Sequence, residues 1–150
     1  MSPISRRGAL LLGAGLGITL RDVAREAGAT PAQADAAISK FTAGKTAERG
    51  KISIDLPEIA ENGNTVPMSV VVNSPMTADD YVSEIFVVGD ANPNAAIVRF
   101  HLTPMSGRAE AATRIRLGGT GTVTVLAKTS TGKLYADSKT VKVTVGGCGG

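Results

Sequence analysis

The chain has 150 residues, of which 43% are hydrophobic and 19% charged, as expected of one globular domain with its own core. Three Phe, two Tyr and no Trp indicate an aliphatic core and argue against the stacking surfaces that bind single-stranded nucleic acid. The formal net charge is +3, but residues 1–29 hold four of the arginines. The rest of the chain carries 12 basic residues against 11 acidic ones, so it lacks the positive charge typical of a protein that binds DNA or RNA.

The N-terminus has the pattern of an export signal. A twin arginine, Arg6-Arg7, precedes an apolar run from Gly8 to Leu20, which is too short to span a bilayer but suits a cleaved signal. A twin arginine in front of an apolar run resembles a twin-arginine export signal. Ala27-Gly28-Ala29 has the small-x-small pattern of a signal cleavage site. We therefore expect residues 1–29 to direct export to a bacterial periplasm. The alternative is an N-terminal helix that stays with the protein.

Residues 30–44 predict a short helix that braces the main domain. Thr30 can act as N-cap with Pro31 at the first helical position, and Gly44 is placed to end the helix. The apolar residues between them recur at helical spacing and would share one face. They are Ala34, Ala37, Ile38 and Phe41.

After Glu48 the pattern changes to short alternating runs that are typical of β-strands. Turn signals separate them, among them Asn62-Gly63, Gly118-Gly119 and Thr131–Lys133. The strand-like runs are 51–55, 66–73, 81–89, 97–102, 112–117, 122–128 and 134–145. Their spacing predicts an all-β, immunoglobulin-like β-sandwich of about seven strands over residues 45–145. No antibody-type Cys…Trp…Cys pattern is present, so only the architecture is implied.

Motifs for catalysis or cofactor binding are missing from the sequence. The single His and the single Cys, His101 and Cys148, are 47 positions apart, and there is no HExxH or CxxC pattern for a metal. No GxSxG nucleophile elbow and no phosphate-binding glycine loop occur either. We therefore expect no metal, no cofactor and no catalytic residue in this chain.

The C-terminus presents the one reactive side chain that stands out. Val141, Val143 and Val145 are expected to point inward along the last strand, which anchors the chain up to Val145. Beyond it, residues 146–150 read GGCGG. Gly146 and Gly147 would be flexible, and three residues give Cys148 a reach of roughly 10 Å. Gly149 and Gly150 add no bulk, so the sequence predicts a slim arm that carries a thiol.

A lone cysteine in an exported protein cannot form an internal disulfide. Its thiol is therefore free, paired with another chain, or functional. The tail supplies no cation or helix N-terminus that would lower the pKa of the Cys148 thiol. Any activation of the thiol would have to come from a protein that receives the arm.

GGCGG at the C-terminus, together with the segments 55–76, 92–94 and 100–117, resembles the Y subunits of the Sox thiosulfate-oxidation carrier. The resemblance implies an immunoglobulin-like sandwich that pairs with a Z subunit in a heterodimer. It also implies that Cys148 carries the sulfur substrate covalently in the periplasm, with Gly146, Gly147, Gly149 and Gly150 as flexible flanks.

The same resemblance implies the partners that act on the arm. A c-type haem enzyme conjugates thiosulfate to the thiol, a hydrolase releases sulfate, and a sulfane dehydrogenase oxidises the remaining sulfur. The carrier itself would need no cofactor, and neither a nucleic acid nor a membrane is expected as a partner.

Two other classes of protein remain as alternatives. Small β-grasp carriers also end in Gly-Gly, but they use a terminal thiocarboxylate in the cytosol and need no cysteine near the end. A structural periplasmic sandwich could be linked through an intermolecular disulfide of Cys148, in which case reduction would split a covalent oligomer. Prenylation is excluded, because a CaaX signal has three residues after the cysteine and only Gly149 and Gly150 follow here.

Overall fold

The computed structural model describes residues 31–147, in which one α-helix is followed by eight strands. The export signal over residues 1–29 and the Thr30 cap therefore lie outside the described residues, as do Cys148, Gly149 and Gly150. The elements are α1 (Pro31–Thr42), β1 (Ile52–Asp55), β2 (Ile59–Asn62), β3 (Val66–Val72), β4 (Val82–Gly89), β5 (Ala96–His101), a 3-10 turn (Pro104–Ser106), β6 (Glu110–Ile115), β7 (Gly121–Thr129) and β8 (Leu134–Val145).

The strands form two sheets that face each other. One has the order β1-β3-β6 and the other the order β2-β8-β7-β4-β5. Every pairing is antiparallel except that of β2 with β8. The first sheet has the order of strands A, B and E of an immunoglobulin domain, and β8, β7 and β4 have the order G, F and C. The predicted immunoglobulin-like β-sandwich is confirmed.

Strand β2 is the strand that the sequence pattern does not indicate. Over residues 57–64 the sequence shows only the Asn62-Gly63 turn signal, whereas Ile59–Asn62 pairs in parallel with the end of β8. The strand has four residues, and its first apolar side chain, Ile59, is 61% exposed. A strand this short and this exposed has too little alternation for the sequence pattern to indicate it.

The core between the sheets is aliphatic, as the composition indicates. Side chains at alternate positions of β3 face those of β4, β7 and β8, as expected for strands with one buried face. The largest fully buried side chains include Val66, Val70, Ile85, Val87, Val125 and Val141. Burial of this apolar surface is the main favourable contribution to folding.

Helix α1 packs on the outer face of the five-stranded sheet. Ala34 is buried there, and the Phe41 ring lies 5.3 Å from the Phe86 ring of β4. The predicted apolar face of the helix is thus the one that contacts the sheet. The Gly44 N–H donates to the Ser39 carbonyl with φ of +74° at Gly44, which ends the helix as the sequence predicts. No helix within residues 31–147 is both long and apolar enough to cross a bilayer.

Candidate functional site

The last strand, β8, changes partners before it reaches the C-terminal tail. Its pairing with β7 ends at Val141, which lies opposite Gly121. Beyond that point β2 continues as its neighbour up to Val145. On the other side the Thr120 hydroxyl accepts a hydrogen bond of 2.9 Å from the Val143 N–H. The end of β8 is therefore held from both sides, although it lies beyond the central part of the sheet.

Val145 differs from the expected inward orientation. Val141 is fully buried and Val143 packs partly buried against the core, as predicted, but Val145 is 61% exposed. The reason is that β7 has already ended its pairing with β8, so that Val145 lies at the rim of the sandwich. The alternation of the sequence predicts the face of a side chain but not where the opposite layer stops.

A chain of three backbone hydrogen bonds lies at the end of β8. The Gly63 N–H donates to the Val145 carbonyl at 2.7 Å, and the Leu117 N–H donates to the Gly63 carbonyl at 2.8 Å. The Gly147 N–H in turn donates to the Leu117 carbonyl at 2.8 Å. We call this set of Gly63, Leu117, Val145 and Gly147 the arm junction. It joins both sheets, because Leu117 follows β6 whereas Gly63 and Val145 lie at the ends of β2 and β8.

The arm junction is too tight for side chains at its glycines. A Cβ at Gly63 would overlap the Leu117 carbonyl oxygen and would lie 2.8 Å from the Gly147 nitrogen. A Cβ at Gly147 would overlap the Gly63 carbonyl group, and one at Gly146 would overlap the Gly118 oxygen. The sequence alone predicts only a flexible spacer at Gly146 and Gly147. In the structure both are half-buried and pack against the body of the domain.

Asn92 fixes the segment that receives Gly147. Its side chain is 6% exposed; Nδ2 donates to the Arg116 carbonyl and Oδ1 accepts from the Gly118 N–H, both at 2.8 Å. These two bonds bracket Leu117 and hold its carbonyl in place. The only signal for Asn92 in the sequence is its place in the segment 92–94, which contributes to the family resemblance.

The sequence-predicted site lies mostly beyond the described residues. Gly146 and Gly147 are described, whereas Cys148, Gly149 and Gly150 are not. Cys148 is bonded directly to Gly147, so the arm junction fixes where the predicted thiol is attached: at the end of the sandwich where Gly63 and Leu117 meet. Among residues 31–147, no three His, Cys, Asp or Glu side chains are placed to hold a metal ion.

Among the described residues around the arm junction, the hydrogen bonds are made by backbone groups and by small polar side chains. Thr120 contacts β8, and Asn62 accepts a hydrogen bond of 2.9 Å from the Asn64 N–H, which shapes the turn after β2. The arrangement can position the C-terminal segment.

Comparison with known proteins connects this architecture to sulfur oxidation. A family model described as "Sulfur oxidation protein SoxY" matches residues 38–148, a range that ends on Cys148. The structure of the sulfur carrier protein SoxY from Chlorobium limicola f thiosulfatophilum is similar with a TM-score of 0.61 and 30% sequence identity. That similarity covers 76% of this chain and 98% of the Chlorobium chain. None of the proteins with curated functions matches this chain.

Superoxide reductases have a similar fold. Neelaredoxin from Ignicoccus hospitalis has a TM-score of 0.55 at 21% identity, over 79% of this chain and 96% of that one. The reduced enzyme from Archaeoglobus fulgidus has a TM-score of 0.54 at 14% identity, over 65% and 99% of the two chains. At such identities the likeness concerns the sandwich alone. By the family match over residues 38–148 and the similarity to the Chlorobium protein, this chain belongs to the SoxY family of sulfur oxidation proteins.

Proposed function

We propose that this protein is a periplasmic carrier of sulfur substrates, which binds thiosulfate-derived intermediates covalently through the Cys148 thiol and presents them to partner enzymes. The observation that carries the proposal is that the SoxY family match extends through residue 148, the position of the only cysteine. The Chlorobium relative, 30% identical, is itself a sulfur carrier protein.

The placement of the tail supports this role. The arm junction lies at one end of the sandwich, so Cys148 is attached at the rim of the molecule. The two residues that follow Cys148 are glycines, which add no side-chain bulk beyond the sulfur. A thiol near the tip of such a slim segment suits entry into a narrow active site of another protein.

The proposed cycle assigns each redox or hydrolytic step to a partner. Conjugation joins the outer sulfur of thiosulfate to Cys148 Sγ, releases the thiol proton and transfers an electron pair to a c-type haem enzyme. A hydrolase then uses water to release sulfate from the adduct. A sulfane dehydrogenase oxidises the outer sulfur that remains on Cys148 to a sulfonate, with water as the source of oxygen and an electron acceptor for the electrons, and a second hydrolysis then releases sulfate and leaves the thiol. The carrier contributes the thiol and returns to it at the end of the cycle.

A Z subunit is the proposed constitutive partner, in a heterodimer. Membership in the SoxY family implies a protein of the Sox pathway as partner. The exposed side chains of Arg99 and His101 on β5, and of Arg114 and Arg116 at β6, lie on candidate contact faces. Co-purification of the tagged chain with a second small subunit tests this partner directly.

Export through the twin-arginine route is part of the proposal and rests on Arg6-Arg7 with the apolar run after it. Replacing both arginines by lysine keeps the charge but removes the twin-arginine pattern. We expect the variant to remain in the cytoplasm as a longer precursor, which fractionation and immunoblotting would detect. Normal periplasmic accumulation of the variant would contradict this route while leaving the carrier role open.

The test of the carrier role is the variant Cys148→Ser. It removes the thiol and leaves the arm nearly unchanged in size. In cells that depend on this chain for thiosulfate oxidation, we expect the variant to accumulate normally but to abolish thiosulfate consumption. Gly119→Ala serves as a control, because a Cβ at Gly119 meets nothing within 4 Å. Full thiosulfate oxidation with Cys148→Ser would overturn the proposal.

A further inference from the structure

We propose that Met105 is a modification site, at which a peroxide reversibly oxidises the folded protein to methionine sulfoxide. Met105 lies in the 3-10 turn between β5 and β6 and is 96% exposed. The other methionines of the described residues, Met68 and Met76, are 2% and 6% exposed. The proposal is independent of the carrier role, because the turn precedes β6 whereas Leu117 of the arm junction follows that strand.

The immediate sequence does not distinguish the three methionines. Each follows a proline and precedes a serine or a threonine, in the segments VPMS (66–69), SPMT (74–77) and TPMS (103–106). The neighbours along the chain therefore influence the three sulfur atoms in a similar way. A difference in their reaction with a peroxide comes from the fold, which makes Met68 and Met76 internal controls for Met105.

The turn holds the Met105 side chain outside the domain. The Ser106 N–H donates to the Thr103 carbonyl at 2.9 Å, and the Thr103 N–H donates to Ser106 Oγ at 3.2 Å. Gly107, with a φ of +72° that suits glycine, donates its N–H to the Pro104 carbonyl at 3.2 Å. Because these bonds fix the turn, the exposed position of Met105 belongs to the native structure, and an oxidant reaches its Sδ atom without any unfolding.

The two buried methionines are shielded from an oxidant in different ways. Met68 lies on β3 among the core side chains. Met76 Sδ accepts a hydrogen bond of 3.3 Å from the Val82 N–H, which engages a lone pair that a peroxide would have to use. Both side chains become accessible only when the structure around them opens, and such opening requires free energy. Their oxidation should therefore be slower than that of Met105.

The reaction at Met105 needs only the thioether and the peroxide. A lone pair of Sδ attacks one oxygen of hydrogen peroxide, so that the S–O bond forms, the O–O bond breaks and water leaves. The sulfur loses two electrons and the peroxide gains them. A thiol-dependent methionine sulfoxide reductase reverses the change, with a separate enzyme for each sulfoxide epimer. Two thiols then give up their protons and two electrons to form a disulfide, and the oxygen leaves as water.

Oxidation would change the surface of the turn without disturbing the core. Methionine sulfoxide is polar, whereas the thioether is apolar. Met105 buries almost none of its surface, so the folded state loses little apolar contact when the sulfoxide forms. The same change at Met68 would place a polar group in the core, where it lacks a partner. Of these two positions, only Met105 therefore permits a cycle of oxidation and reduction in the folded protein.

Timed treatment of the full chain with hydrogen peroxide, followed by peptide mapping in a mass spectrometer, tests the proposal. The Cys148 thiol is first blocked with iodoacetamide so that it does not consume the oxidant. We expect the Met105 peptide to gain one oxygen at least about tenfold faster than the Met68 and Met76 peptides. In urea the three rates should converge, because the local sequences are alike. Equal rates in the folded protein would overturn the proposal, as would rates that stay equally far apart in urea.

Treatment of the oxidised, folded protein with both sulfoxide reductases and a thiol reductant tests the reversal. The added oxygen should leave Met105. A sulfoxide that persists there, while the same enzymes reduce a free peptide of residues 103–106, would contradict a reversible site.

Met105→Leu is the matched control, because leucine is apolar and has no sulfur to oxidise. Hydrophobic interaction chromatography of the folded protein should show a larger shift to early elution after peroxide treatment in the wild type than in Met105→Leu. Equal shifts in the two proteins would place the modification elsewhere and overturn the proposal.

Discussion

The Gly147 nitrogen lies 2.8 Å from the Leu117 carbonyl oxygen, and this hydrogen bond ties the end of the chain to the segment after β6. Because Gly63 bonds to both Leu117 and Val145, the same place joins the three-stranded sheet to the five-stranded one. The segment that leads to Cys148 thus starts from a fixed point rather than from a frayed strand end. Under the proposed function, this end of the sandwich is the one that presents the Cys148 thiol.

The Asn92 side chain should contribute more to the free energy of unfolding than the Asn94 side chain in the same loop. Asn92→Ala leaves the Arg116 carbonyl and the Gly118 N–H without their partner in a partly buried place. We expect the free energy of unfolding to fall by about 1–3 kcal/mol, measured by urea denaturation. Asn94→Ala is the control, because Asn94 is exposed and accepts only one hydrogen bond, from the Ala96 N–H. Equal losses for the two variants would contradict the role assigned to Asn92.

Phe41 should anchor helix α1 to the sheet. Its ring packs 5.3 Å from that of Phe86, and the Arg99 guanidinium lies over both rings, 4.3 Å from the Phe86 centroid. Phe41→Ala should lower the free energy of unfolding by about 1–2 kcal/mol, less than a fully buried Phe would cost because Phe41 is only half-buried. Lys40→Ala, at an exposed position of the same helix, should change stability by less than about 0.5 kcal/mol. A loss no larger for Phe41→Ala than for Lys40→Ala would show that α1 does not brace the domain.

The negative charge of Glu84 should contribute little to the free energy of unfolding. Glu84 and Arg99 form an ion pair of 2.6 Å, but the Arg99 side chain is 47% exposed. Such pairs contribute about 0–1 kcal/mol because water screens them. Glu84→Gln should therefore shift the urea midpoint only slightly, and the shift should shrink further in high salt. A loss of several kcal/mol would mean that the pair is far better shielded from water than its exposure indicates.

Shortening the arm should slow the loading of the Cys148 thiol by a partner enzyme far more than it slows the reaction of that thiol with a small reagent. Deletion of Gly146 removes about 3.5 Å of reach. It brings Cys148 to the position of Gly147, where the arm junction has no room to enclose a side chain, so the thiol stays in solvent. We expect enzymatic loading of the thiol with thiosulfate to fall by at least tenfold, because the thiol no longer extends far enough into the conjugating enzyme. Alkylation by a small reagent such as iodoacetamide should change by less than about threefold, because that reagent needs no reach. Loading that stays at the wild-type rate would show that arm length is not limiting.

The fold followed from the sequence wherever side chains alternate across a buried face. The strand around Val70 carries that alternation, and α1 shows its apolar residues at helical spacing. The strands around Val87 and Val125 are instead buried on both faces, and their sequences are apolar runs bounded by turn signals. The prediction was less successful at the rim of the sandwich, since Val145 keeps the alternation but has no opposite layer to cover it.

The arm junction could not be predicted in the same way. It consists of backbone groups from three segments, and its tightness is a property of packing rather than of residue pattern. Asn62-Gly63 indicates a turn in any sequence, and only the structure shows that Gly147 packs against it. The family resemblance, in contrast, was carried by local motifs such as GGCGG and the segment 100–117, and it needed no knowledge of contacts.

The most direct test of the central claim is the intact mass of this protein purified from cells that are oxidising thiosulfate, before and after reduction, with the modified residue located by peptide sequencing. The proposed function predicts a population with sulfur- or sulfonate-containing groups confined to Cys148, which a thiol reductant removes. A thiol that is bare in every preparation, or a reducible covalent dimer that accounts for most of the protein, would contradict it.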